Sequence, residues 1–172
     1  FSYAPPRSIK SYSLSNSNLV TNSAESALDL FGQGGSTIYL LTLNSEIFSY
    51  SCNGTTLGTA NVLYTSQANL ERLYIQDNIA IGLTQTSGQY GIERIDLTTG
   101  TLIDSFAITG TFANSLTLDS EGNIYVGNNQ GGAYVYDATG QLLTSFVPGA
   151  VNPADPNLGT NSAWMFLNTA GD

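Results

Sequence analysis

Three oxygen-bearing side chains stand at alternate positions in Asp119-Ser-Glu121-Gly-Asn123, a spacing that could wrap a Ca²⁺ ion. The same residues suit a hairpin turn with solvated polar groups. The related stretches Asn168-Thr-Ala-Gly-Asp172 and Ile75-Gln-Asp77-Asn78 keep only part of the acid set. Asn53-Gly54-Thr55 is an N-glycosylation acceptor sequence, and Asn-Gly is also the preferred pair of a tight hairpin turn. An exposed hairpin tip would let Asn53 serve both roles.

Much chemistry is excluded. The chain has no histidine, so the usual general base of neutral pH is missing and neither a Ser-His-Asp nor a Cys-His arrangement can be built. Cys52 stands alone, which rules out an intrachain disulfide, makes zinc improbable and reads as a small packed side chain. No catalytic residue is assigned. Ten tyrosines and Trp164 offer stacking surface for a peptide or a glycan. Tyr39, Tyr74, Tyr125 and Tyr134 lie in strand-like runs, where packing accounts for them. Tyr64, Tyr90 and Trp164 lie near loops and, with Asn152 and Asp155, are the candidate ligand-binding residues.

Four basic residues against thirteen acidic ones give a net charge of −9, which argues against nucleic acid or an anionic membrane surface as partner. No apolar run approaches the roughly 20 residues of a membrane span. The longest, IYLLTL at 38–43, fits a buried strand. Residue 1 is Phe rather than Met, which reads as a processed product or a piece of a longer chain. An extracellular or cell-surface location is expected.

The elements that must position these residues are clearest in residues 115–146. There SLTL, NIYVG, AYVYD and LLTSF are separated by turns rich in Gly, Asn and Asp. Alternation such as Ile124 and Val126 against Tyr125 sends one set of side chains to each face of a sheet. The unit is a four-stranded antiparallel meander, and weaker copies recur. Its third strand aligns as SIKSYS (8–13), EIFSYS (46–51), GIERID (91–96) and GAYVYD (132–137), placing Ile9, Ile47, Ile92 and Ala133 at a period near 40. A fourth strand follows each, from NLVTN (18–22) through TLGTA (56–60) to TLIDSF (101–106). First and second strands precede, as ALDL (27–30) with TIYLL (37–41), and LYI (73–75) with IAIGL (79–83). QANLER (67–72) is the only helix-like segment and reads as the approach to a first strand. The longest insertion, VPGAVNPADPNLGTNS at 147–162, carries three prolines and reads as a loop, where binding usually sits.

The two ends complete the pattern. MFLNTAGD (165–172) aligns with LTLDSEGN (116–123) as a first strand and its turn, and FSYA (1–4) stands where a second strand belongs. The expected fold is all-β: a β-propeller of four-stranded antiparallel blades, with sixteen strands' worth of sequence. One blade is shared between 1–22 and 162–172, and the others run about 27–60, 70–106 and 113–147. Sharing a blade between the termini pairs both chain ends and removes a free sheet edge. Three arrangements stay open: a four-bladed ring, two chains exchanging ends to close eight blades, and a slice of a longer repeat protein.

DSEGNIYVGNNQGGAYVYDATGQLL (119–143) resembles the NHL-type repeat propellers, and more loosely the YVTN-type surface propellers. The match is good over the third blade, moderate over the second through IQDNIAIGL and IERIDLTTGTLIDSF, and poor elsewhere. The resemblance implies a binding platform for protein, peptide or glycan. Some relatives are lactonases or lyases that lean on His or on inward-facing acids and amides, and the lack of His here speaks against lyase chemistry. The function expected is therefore non-enzymatic recognition of a protein or glycan. One alternative is a self-assembling subunit whose end blades are completed by copies of itself. The other is a lactonase-like enzyme using acids, amides or Ca²⁺.

Overall fold

The structure, a computed structural model, describes residues 10–12, 19–22, 27–33, 37–52, 57–109, 113–128 and 132–146. All regular structure among the described residues is strand. β1 (Lys10–Tyr12) and β2 (Leu19–Asn22) form an antiparallel pair within the SIKSYS and NLVTN runs. Three sheets of four strands follow. The first holds β3 (Ala27–Gln33), β4 (Thr37–Thr42), β5 (Glu46–Cys52) and β6 (Leu57–Thr65); the second β7 (Asn69–Gln76), β8 (Ile79–Thr86), β9 (Gln89–Asp96) and β10 (Thr101–Ala107); the third β11 (Ala113–Leu118), β12 (Ile124–Asn128), β13 (Ala133–Tyr136) and β14 (Leu142–Phe146). Each is an antiparallel meander in chain order, as short turns require.

The ladders carry a repeat of their own. Each first strand skips one residue of pairing near its start, between Ala27 and Asp29, between Leu70 and Arg72, and between Ala113 and Ser115. β10 passes over Ile103 and β14 passes over Leu143, at matching places in their sheets. An extra residue bends and twists its strand, so every sheet is shaped alike.

The second sheet is covered on both faces. Ala80, Leu73 and Ile95 pack with Tyr39, Leu41 and Ile47 of the first sheet, whereas Ile81, Leu83 and Ile92 pack with Ile124, Val126 and Tyr136 of the third. A strand buried on both faces reads as an unbroken apolar run, which is the character of IAIGL. Each such Leu or Ile removed from water contributes about 1.5–3 kcal/mol. The closest approach between neighbouring sheets is at their first strands, β3 with β7 and β7 with β11, and β10 is largely exposed. The sheets therefore converge at their first strands and fan outward.

Turns lock the fan. Gly100, at φ +68°, closes the β9–β10 turn against the Leu63 carbonyl of β6, and Gly140, at φ +85°, closes the β13–β14 turn against the Phe106 ring of β10. The third turn of one sheet thus leans on the outer strand of the sheet before it.

One expectation is corrected. QANLER is not helix-like: β7 begins at Asn69, and Leu70 and Leu73 are buried between sheets. Inter-sheet burial outweighs the local preference of Glu, Arg and Ala. Residues 1–4, 165–167, the 147–162 loop and the Asn53-Gly54 turn lie outside the described residues.

Candidate functional site

A groove of about 280 Å³ opens between the second and third sheets, at the end that carries their first–second and third–fourth strand turns. Ile79 and Ile81 of β8 form one wall and Leu118 and Ile124 the other. Asp77, Gln76, Ser120 and Glu121 edge it, with Arg94 of β9 beside them. Ile79 is 39% exposed, an apolar side chain left open to solvent.

Local structure explains why these residues meet. The β7–β8 turn is only Asp77-Asn78, with Asp77 at φ 53°, a left-handed backbone that Asp tolerates better than most side chains. The Leu97 N–H donates to the Asn78 carbonyl at 2.8 Å and ties this turn to the next. Across the groove, Asp119 closes the β11–β12 turn. Its Oδ1 accepts the N–H groups of Glu121 (2.9 Å) and Asn123 (2.8 Å), and its Oδ2 accepts the Asn123 amide (2.8 Å) and the Tyr125 hydroxyl (3.2 Å). Gly122, at φ +83°, completes the turn, and nothing lies within 4 Å of where its Cβ would be.

Charge is arranged unevenly. Arg94 donates from Nε to Asp104 Oδ1 at 2.7 Å and from its terminal nitrogen to Oδ2, a two-point pair across β9 and β10. That bond holds the Asp104 carboxyl below its usual range and raises the guanidinium. Burial pushes Asp119 up, but the donors of Asn123, Glu121 and Tyr125 outweigh it and hold the carboxyl low. Tyr125 is raised, first by burial and then by its bond to Asp119. Arg94 is thus matched by Asp104, and Asp77 and Glu121 stand on the rims contributed by the second and third sheets.

The residues singled out from sequence are dispersed. Tyr64 donates its hydroxyl to Glu93 at 3.0 Å, and Ser66 donates to the other oxygen of that buried carboxylate at 2.9 Å. Burial, then the negative Glu93, push the Tyr64 phenol up to about 12. This cluster joins the first and second sheets. Tyr90 is buried in the core between the second and third sheets, with its phenol raised by burial. Asp119, Glu121 and Asn123 share a turn, but Asp119 and Asn123 bond one another while exposed Glu121 lines the groove. Among the described residues no three His, Cys, Asp or Glu side chains cluster to hold a metal. Asn53, Asn152, Asp155 and Trp164 lie outside the described residues. Sequence reasoning missed Ile79 and Arg94. The available signal was the alignment of the Asp77-Asn78 turn with Asp119–Asn123, since equivalent turns of neighbouring sheets stand side by side.

No protein-family model matches the chain, and no curated protein matches it. Among solved structures it is similar to a chain in the crystal structure of a mitotic checkpoint complex, with a TM-score of 0.61 and 15% identity. The match covers 83% of this chain and 44% of that one, so the chain spans less than half of its neighbour's length. A likeness at that identity speaks to fold alone, and the fold is β-propeller-like.

Proposed function

We propose that this chain is a non-enzymatic recognition module of the NHL-like propeller type, extracellular or on the cell surface, that binds a protein partner. The observation that carries the reading is the groove between the second and third sheets. It has apolar walls with exposed Ile79, a polar rim, and a frame braced by two cores and a self-bonded turn. An apolar centre edged by polar groups on a rigid frame is the anatomy of a protein-binding patch. The structural neighbour belongs to a protein complex, which favours a protein over a glycan as partner.

The test is selection of displayed peptides against the immobilised full chain, followed by mapping with Ile79→Asp and, as a control on the outer strand, Leu102→Asp. Loss of binding in the first and retention in the second is the expected result. Failure to enrich any peptide, or full binding by Ile79→Asp, overturns the reading. A second reading, assembly with copies of itself, is favoured by the exposed pairs Leu102–Ile103 and Leu142–Leu143 on the outer strands β10 and β14. A monomeric mass in solution at high concentration removes it.

A further inference from the structure

We infer that Glu93 is an acid-operated clasp between the first and second sheets: a proton on its carboxylate releases the β6–β7 crossing while the seam between the second and third sheets stays closed. The carboxylate is buried and is met by two neutral donors, the Tyr64 hydroxyl at 3.0 Å and the Ser66 hydroxyl at 2.9 Å. Tyr64 belongs to β6 and Ser66 to the link into β7, so one acid of β9 holds the point where the chain passes from one sheet to the next. The ties continue from there. Ser66 Oγ accepts the Ala68 N–H at 3.0 Å, the Ser66 N–H donates to the Ser45 carbonyl at 3.0 Å, and Ser45 Oγ accepts the Leu70 N–H at 2.9 Å.

Among the described residues no ion pair includes Glu93. Alternation along β9 turns Arg94 and Asp96 to the opposite face, and Arg72, paired with Leu83, stands on that face too. Glu71 acts on Tyr90, in the core between the second and third sheets. The titratable groups that the first sheet turns to this seam are Tyr39 and Tyr64, and the ladder neighbours of Glu93, Gly82 and Ser105, carry no charge. Burial and then the negative Glu93 hold the Tyr64 phenol up at about 12, so it stays a donor in acid. Protonating Glu93 removes the charge that strengthens both bonds and turns one acceptor oxygen into a donor facing a hydroxyl. The next seam is built differently. At the place of Glu93 the third sheet has Tyr134, packed on the apolar core, and the polar tie there is the Tyr136 hydroxyl with Thr109, which has no charge to lose in acid.

The test is amide hydrogen exchange on the full chain at about pH 7 and about pH 3.5, the second lying below the ordinary glutamate value near 4.3. Rates are corrected for intrinsic exchange, and labelled glutamate carboxyl carbons report protonation of Glu93 in the same samples. Protection at Ser66, Ala68 and Leu70 should fall at least about tenfold relative to Ile108 and Thr109, because a hydrogen bond to a charged partner is worth about a factor of ten or more. That fall should follow the Glu93 carboxyl signal through a pH series. Glu93→Gln, with nothing to titrate at that place, should show the same ratio at both pH values. Equal loss at both seams, a Glu93 titration that the seam amides do not follow, or the wild-type dependence persisting in Glu93→Gln overturns the inference. If Glu93→Gln does not fold, the wild-type carboxyl and amide titrations decide by themselves.

Discussion

Replacing Gly100 by alanine tests the packing of one sheet on the next more directly than any core truncation. Its φ of +68° is left-handed, and a Cβ built there lies inside contact distance of the Leu63 carbonyl oxygen, with the Leu63 carbonyl carbon at 3.3 Å. Gly122 is the control, because it shares the backbone conformation at φ +83° with nothing within 4 Å. Alanine in a left-handed conformation costs about 1 kcal/mol, so Gly122→Ala should lose about that much. Gly100→Ala adds overpacking against backbone that no rotamer change relieves, about 2 kcal/mol more, for a total of about 3 kcal/mol. At about 3 °C per kcal/mol for a chain of this size, the melting temperature should fall by about 3 °C in Gly122→Ala and about 9 °C in Gly100→Ala. Gly140 supplies a cross-check, because there the obstacle is the Phe106 ring, with Cγ at 2.6 Å. Placed in a Phe106→Ala background, Gly140→Ala should cost only the backbone strain. Circular-dichroism melts and urea titrations of the single and double variants give all the numbers. If Gly100→Ala matches Gly122→Ala, the β9–β10 turn does not rest on β6 and the account of how the sheets interlock is wrong.

Three further outcomes follow from the same contacts. Asp104 and Asp119 have depressed folded pKa values, so their contribution is fully present above the unfolded value near 4 and is lost as pH falls through the folded values. The melting temperature should hold from pH 7 to about 5 and drop below about 4, less steeply in Asp119→Asn, and a curve independent of acid would contradict this. Glu93→Gln should lower the phenol titration of Tyr64 from about 12 while leaving it above 10.0, because burial, the largest single cause, remains when the carboxylate is gone; tyrosine-labelled NMR reads the midpoint, and no movement would break the assigned contact. Ile95→Ala, at a side chain fully buried between the first two sheets, should cost about 3 kcal/mol in urea unfolding, whereas Leu102→Ala on the exposed outer strand should stay within about 0.5 kcal/mol. Comparable losses at both positions would contradict the fan-like burial.

The four-stranded meanders were legible because their information is local and repeated. The alternation in NIYVG and AYVYD, and the turns DSEG and DATG, specify hairpins without reference to the rest of the chain. What escaped was inter-sheet. QANLER has helical composition, and only Leu70 and Leu73 against Tyr39, Leu41 and Ile47 make it a strand. Tyr64 and Tyr90 look like loop aromatics in sequence, yet one is bonded to Glu93 and the other buried beside Ile81 and Ile92. No period within a strand says which residue of the neighbouring sheet will stand opposite. The groove was hidden for the same reason, being built from turns at equivalent places in two sheets, whose proximity arises only when sheets stack.

The alternation Asp119, Glu121, Asn123 draws its meaning from that stacking. Within the turn Asp119 is occupied four times over, by backbone and side-chain donors, and Asn123 is one of them. The same device recurs at Asp96, which accepts from Thr98 and Thr99, and at Asp137, which accepts from Thr139 and Gln141. A carboxylate committed to its own loop stiffens the turn and is poorly placed to meet a ligand. Glu121 sits one step off that pattern, exposed on the rim facing a different sheet. The turn thus divides its acids by position: the first residue holds the backbone in shape, and the third carries charge to the groove. Asp77 reaches that rim by another route, through a two-residue turn that leaves no room for such a loop. Turns from two neighbouring sheets, each short or self-bonded, thus frame the groove on both sides.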